Sequence, residues 1–312
     1  MKTIYYSSGR TALYFGLKGL NFNKDDIILL PNIICNEAVI PFRRLGIKFK
    51  FYKLKKNLFP DWDHIKKNNS KKVKGLLMIH FFGFPNDIDN FINFTKKNNL
   101  ILIEDYCHGF DGKYKDKNLG EIGDISITSP RKILKIYSGG ILKVNNCVLE
   151  KFYKNYKLPI KKISIIDKVV FNIKKNEYFV SLKRYIQNKF DLFPIERVLN
   201  YNDNFEKKII DSNSLNVLKK KDYNLIKRNI KFKNIFNILK KNKISTIYNY
   251  QKNITPWMIP FYINDKKELI KVKSIQKENN FNIITWPKLP KEVLKIKNVK
   301  NSQLKIYCII ID

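Results

Sequence analysis

Leu100-Ile101-Leu102-Ile103-Glu104-Asp105-Tyr106-Cys107-His108 is the stretch on which the fold turns. Its short, unbroken apolar run predicts a strand over Leu100–Glu104 buried on both faces, as in the parallel sheet of an α/β domain. The run ends in carboxylates, and His108 follows three residues after Asp105. In open α/β sheets ligands gather beyond the carboxyl ends of the strands, so chemistry is expected here. Asp105 in such a low-dielectric position can hold a cationic group. Taken alone, a strand-end Asp more often caps a following helix.

Working outward, the pattern alternates strand and helix. Upstream lie a helix over Ile88–Asn98, a buried strand over Gly75–His80, an edge-like strand over Lys48–Tyr52, a helix over Asn36–Leu45 and a strand over Asp26–Leu30. Before them, Ser8 reads as the N-cap of a helix through Thr11, Leu13, Leu17 and Leu20. Downstream, Gly123 to Lys132 runs along another strand into a loop, and Gly139-Gly140 opens a strand over Ile141–Val144. Long basic helical segments are expected to about Asn200, then helix-like runs around Leu215–Lys240. Strands are expected near Met258–Ile263, Asn282–Trp286 and Leu304–Ile311. The expected class is α/β with a mostly parallel sheet: a large domain over 1–205 and a smaller α+β domain over 206–312.

Composition narrows the function classes. The formal charge of +34 attracts polyanions in general. Of the 61 basic residues, however, only seven are Arg, and the Lys excess is spread along the chain with Asn and Ile. A nucleic-acid face would concentrate Arg with interleaved aromatics, so no specific nucleic-acid partner is expected, only weak attraction to anionic surfaces. No run approaches the roughly 18 apolar residues of a membrane span, and the N-terminus turns polar too early for a signal peptide; a cytoplasmic protein is expected. Cys35, Cys107, Cys147 and Cys308 lack metal-ligand or disulfide-framework spacing, so no metal is expected.

The Ser129-Pro130-Arg131-Lys132 element can put a hydroxyl on a phosphate while the Lys amine reaches a carbonyl nearby, the paired glycines letting the backbone pass closely around the bound group. A lysine in so basic a chain is ordinarily solvated, and its neighbours must single it out. Ser8-Gly9-Arg10-Thr11-Ala12-Leu13, Leu30-Pro31-Asn32-Ile33-Ile34-Cys35, His80-Phe81-Phe82-Gly83, Ile103-Glu104-Asp105, Gly123-Asp124 and Lys132 with Gly139-Gly140 stand in the order and approximate spacing of one known family. The chain resembles the DegT/DnrJ/EryC1/StrS family of sugar aminotransferases, well over residues 1 to about 150 and loosely beyond.

That resemblance implies a fold-type-I enzyme dependent on pyridoxal 5'-phosphate. Lys132 matches the lysine that attaches the cofactor and later moves a proton on it; Asp105 matches the acid that pairs with its pyridine nitrogen. His108 matches the residue packed beside the ring. Ser129 matches a phosphate-binding serine, although the Ser129–Lys132 interval is shorter than usual and leaves Ser126 and Thr128 as alternatives. Gly9, Arg10 and Thr11 match the phosphate-binding turn at a helix N-terminus, and Cys35 stands where an aromatic ordinarily stacks on the cofactor, with a buried small hydrophobe as the other reading.

The resemblance also implies a nucleotide-linked keto sugar as substrate, in cell-surface polysaccharide or secondary-metabolite sugar biosynthesis, an amino-acid donor such as glutamate, and a homodimer. Resembling chains run on beyond Cys308–Asp312, so the smaller domain is expected to be truncated. The competing readings are a regulatory protein that keeps the fold without turnover, and a sugar dehydratase, against which Lys132 argues because related dehydrases carry His there. His80 reads as a satisfied core histidine and Trp286 as packing, while His64 falls in a Lys/Asn-rich loop with no role assigned.

Overall fold

A computed structural model describes residues 1–134, 136–153, 205, 210–221, 223–295 and 306–311. The long basic helical segments expected up to Asn200 lie almost wholly outside the described residues.

Seven strands form the main sheet: β1 (Lys2–Tyr6), β2 (Ile27–Pro31), β3 (Lys48–Tyr52), β4 (Val73–Ile79), β5 (Ile101–Tyr106), β8 (Ile125–Thr128) and β9 (Gly140–Val144), in the order β1-β9-β8-β5-β4-β2-β3. The neighbouring pairs from β3 through β8 are parallel, whereas β9 runs antiparallel to both β8 and β1. Helices α2 (Asn36–Arg44) and α4 (Ile88–Asn98) make the crossovers that parallel neighbours require. The short hairpin β6 (Lys113–Tyr114) and β7 (Lys117–Asn118) lies between β5 and β8. β4 and β5 are buried almost throughout, while edge strand β3 turns Lys48 and Lys50 outward and so blunts the exposed edge.

Helix α1 (Gly9–Leu20) starts where Ser8 adopts extended backbone and its Oγ accepts from the Thr11 N–H at 3.2 Å. It packs on the sheet through glycines: a Cβ on Gly16 would lie 3.1 Å from Ile125 and from Leu142. Gly139 bridges Ser8, and a Cβ on Gly140 would lie 2.1 Å from the Ser8 carbonyl. The paired glycines therefore admit the backbone of the α1 turn.

Three departures from the sequence reading have local causes. His64 lies in a helix, α3 (Trp62–Asn68), because Asp61 caps it by accepting the His64 N–H at 3.2 Å. β1 was not foreseen, since its existence depends on pairing with β9. The run Leu215–Lys240 divides into α6 (Ser212–Lys220) and α7 (Ile226–Lys241) at Lys221, which adopts the left-handed conformation. The expected late strands appear as β10 (Met258–Phe261), β11 (Ile283–Trp286) and β12 (Ile306–Ile310), an antiparallel sheet ordered β10-β12-β11.

Residues just before β10 dock on the loops at the carboxyl end of β5. Trp257 N–H donates to the His108 carbonyl at 2.7 Å and the Phe82 carbonyl at 3.0 Å, and Phe110 N–H to Thr255 O at 3.1 Å. Gly83, at φ +101°, is required here because a Cβ would meet His108 O at 2.4 Å and Pro256 Cα at 2.7 Å.

Candidate active site

Side chains alternate across a strand, so Glu104 and Asp105 leave β5 on opposite faces. Register places Ser126 beside Glu104 and Ile127 beside Asp105. Asp105 shares its face with α1: a Cβ on Gly9 would lie 2.5 Å from Cys107 Sγ and 3.1 Å from Ser129 Cβ. Parity thereby assigns the hydroxyls. Ser126 faces the other way and donates to Glu104 at 2.6 Å, and Thr128 shares its face, its methyl group opposite Gly120. Ser129, next to Gly9, is the hydroxyl on the Asp105 side, and among the described residues it has no hydrogen-bond partner.

Asp105 caps no helix, because β5 continues through Tyr106. Its Oδ1 accepts the Cys107 N–H at 2.8 Å. Burial pushes its carboxyl above the ordinary aspartate value, against the pull of the Cys107 hydrogen bonds and the Lys132 charge. Among the described residues no basic side chain forms an ion pair with it. The Cys107 thiol is also pushed well up, by burial and then by the Asp105 charge.

After β8, Pro130–Lys132 forms a single 3-10 turn that carries Lys132 to the same edge of the sheet. Its Nζ lies 4.1 Å from the centroid of the Trp257 ring. His108 is buried, and its Nδ1 accepts the Phe82 N–H at 3.2 Å. Burial first, then the Lys132 charge, holds the imidazole well below the ordinary histidine value, so the neutral ring carries its proton on Nε2. Phe82 stacks on it at 5.9 Å, with Trp257 and Trp286 each 5.1 Å away.

At the start of α1 the groups are largely occupied. The Thr11 hydroxyl lies 2.9 Å from Ser8 Oγ, and its N–H is already given to the same atom. Arg10 is ion-paired with Glu37 and lies 5.8 Å from the Phe205 ring centroid. Cys35 is the half-buried N-cap of α2, without a capping hydrogen bond, near enough to Cys107 to act on its thiol.

Two residues escaped the sequence reading. Glu104 is fully buried and accepts from Gly120 N–H at 2.6 Å, Ile122 N–H at 2.7 Å, Gly123 N–H at 3.0 Å and Ser126, with His80 Nε2 at 3.0 Å. Burial opposes its ionisation, but the His80, Ser126 and Gly123 bonds outweigh that and hold its carboxyl below the ordinary value. His80 is thus a satisfied core histidine, its Nδ1 accepting from Asn86 N–H at 3.0 Å. Trp257 was missed because nothing local marks it. Trp286, 2% exposed against Phe81, Phe82 and His108, is packing.

With this geometry in hand, similarity to known proteins is decisive at the level of family. The model of the DegT/DnrJ/EryC1/StrS aminotransferase family matches residues 2–160 of the 312, just over half of the chain. The chain belongs to that family. Among its relatives is GDP-perosamine synthase of Escherichia coli O157:H7, 27% identical over 154 residues, covering 46% of this chain and 40% of that protein. Another is GDP-4-keto-6-deoxy-D-mannose 3-dehydratase of Yersinia pseudotuberculosis, 27% identical over 128 residues, covering 39% of this chain and 33% of that one. The matched stretch thus spans well under half of either relative.

Among solved structures, Helicobacter pylori PseC, an aminotransferase involved in pseudaminic acid biosynthesis, has a TM-score of 0.68 at 17% identity, covering 99% of this chain and 81% of that one. The E. coli GDP-4-keto-6-deoxy-D-mannose-3-dehydratase with bound hydrated PLP has a TM-score of 0.63 at 18% identity, over 99% of this chain and 83% of that one. These likenesses show that this family member has the fold of those enzymes. Among the described residues no helix is long and apolar enough to cross a membrane.

Proposed function

We propose that this DegT/DnrJ/EryC1/StrS family member is an aminotransferase that binds pyridoxal 5'-phosphate on Lys132 and moves an amino group from a donor such as glutamate to a nucleotide-linked keto sugar. The observation that carries the proposal is one edge of the sheet that brings together a lysine amine, a buried acid with no ion pair among the described residues and a neutral buried histidine.

These residues fit the cofactor. Asp105 is a buried carboxyl with no ion pair among the described residues, which a protonated ring nitrogen would supply. Ser129 offers a hydroxyl with no partner among the described residues, on the same face and beside the first turn of α1, where an anion is favoured. Once bound, the pyridine ring supplies an electron sink for the bond broken beside the amine.

The chain's own residues do the rest. Asp105 keeps its negative charge against the ring nitrogen, because that pairing offsets the burial that otherwise raises its carboxyl. Lys132 would hold the cofactor through Nζ, and that amine is the atom at which the chain would take and return a proton. His108, neutral and fixed by Phe82, lines one side of the site and presents Nε2–H as a donor. Cys107 stays a thiol and serves as packing between Gly9 and Asp105. The proposal keeps the division into a cofactor-binding domain over 1–205 and a smaller domain over 206–312, and a homodimer. The relatives include both a transaminase and a dehydratase, and Lys132 is the feature that favours transfer.

Adding pyridoxal 5'-phosphate to the purified chain should produce a visible absorbance band that borohydride abolishes, with peptide mass analysis placing the reduced adduct on Lys132. No adduct, or one on other lysines only, would overturn the reading. With glutamate and a nucleotide-linked keto sugar, Lys132→Ala should lower turnover at least about 10²–10⁴-fold through the lost proton transfer alone.

A further inference from the structure

A lysine side chain with four rotatable bonds and no partner samples many positions, and in a site containing Asp105 the nearest electrostatic solution is an ion pair with that carboxylate. That pairing would consume the acid that the proposed function requires at the ring nitrogen. The structure has a different arrangement. Lys132 makes no ion pair among the described residues, and its Nζ sits 4.1 Å from the Trp257 ring centroid, inside the range where a cation is attracted to an aromatic face.

Trp257 is itself held. Its N–H is shared between the carbonyls of His108 at 2.7 Å and Phe82 at 3.0 Å, and its ring packs 5.1 Å from His108. Its carbonyl accepts from Ile311 N–H at 3.2 Å and Arg228 Nη2 at 3.2 Å, and the same Nη2 reaches Pro256 O at 2.9 Å. The other end of that guanidinium donates to Ile311 O. Arg228, on α7, thus ties together the backbone that presents the indole.

We infer that Trp257 is a positioning residue for Lys132, its indole face holding the amine at the strand-end site and out of an ion pair with Asp105, with Arg228 seating Trp257 through the carbonyls of Pro256 and Trp257. The inference rests on the proposed function only in taking Lys132 as the reactive amine; the restraint exists in the chain without cofactor.

The test therefore uses the full chain before any cofactor is added. Lys132 acetylation by a small acylating reagent is followed by peptide mass analysis, with the exposed Lys71 and Lys96 as internal references. In the Asp105→Asn background, where a released amine has no carboxylate to pair with, Trp257→Leu should raise the Lys132 rate relative to those references roughly tenfold, as expected for losing a partly desolvated cation–aromatic contact. Trp257→Phe, which keeps an aromatic face, should restore most of the difference, and Arg228→Lys should fall between. Equal relative rates for the folded Asp105→Asn chain with and without Trp257→Leu would overturn the inference, as would a Trp257→Phe rate as high as that of Trp257→Leu.

Should Trp257→Leu not fold, fluorescence decides. Lys132→Met should change tryptophan emission in the unaltered background and leave it unchanged in the Trp257→Phe background; the same change in both would overturn the inference. Failure of pyridoxal 5'-phosphate to attach to Lys132 bears on the functional reading and leaves both of these measurements intact.

Discussion

The two faces of β5 carry adjacent carboxylates with opposite environments. On one, Glu104 is surrounded by backbone N–H groups from Gly120, Ile122 and Gly123, by the Ser126 hydroxyl and by His80. On the other, Asp105 has its Cys107 contacts and no ion pair among the described residues. Both are buried, yet the fold lowers the first carboxyl and raises the second. Burial alone therefore does not set a carboxylate's role; the number of donors aimed at it does. Glu104 is satisfied by the protein and holds the β5–β8 loop in place, whereas Asp105 forms no ion pair among the described residues.

Substitutions should separate the two faces. Asp105→Asn should lower cofactor-dependent turnover on the order of a thousandfold, because a neutral amide cannot stabilise the charge that the acid faces. The same change should stabilise the cofactor-free chain at neutral pH by about 1 kcal/mol, measured by denaturant unfolding, since it removes a buried, under-compensated charge. Destabilisation in the free chain would break the comparison. Glu104→Gln should do the reverse to stability, costing about 3 kcal/mol because its amide NH₂ faces donors in place of an acceptor.

Acid titration sharpens the contrast. The Glu104 contribution is present above the ordinary glutamate value of 4.5 and is lost as pH falls through its lowered folded value. Asp105 has the opposite sign: its contribution is complete below 3.8 and is lost as pH rises through its raised folded value. The stability advantage of Asp105→Asn over the unaltered chain should therefore shrink on acidification, as read from unfolding midpoints across pH. The smallest effect is expected at the phosphate end. Ser129→Ala should weaken pyridoxal 5'-phosphate binding about tenfold, while Thr128→Val, altering the Glu104 face, should leave that affinity unchanged, both by spectral titration.

What was legible in the sequence is what short-range physics specifies. The apolar run ending in Glu104-Asp105 needs two buried faces, so it names a parallel strand. Ser8 before an amphipathic run names a cap, and the order of six weak motifs names the family and marks Lys132, Asp105 and His108 as its candidate site. Tertiary structure decided the rest, because it depends on register and on contacts distant in the chain. Which hydroxyl among Ser126, Thr128 and Ser129 shares the Asp105 face follows from β8 pairing with β5. That Gly139-Gly140 accommodates the Ser8 turn follows from β9 lying beside β1. Trp257 stands 125 residues from Lys132, and only the docking of its segment onto His108 and Phe82 brings its ring over that amine. A chain's own periodicity can announce a strand and the residue at its end, but which partners face that residue is set by packing between elements that no local pattern encodes.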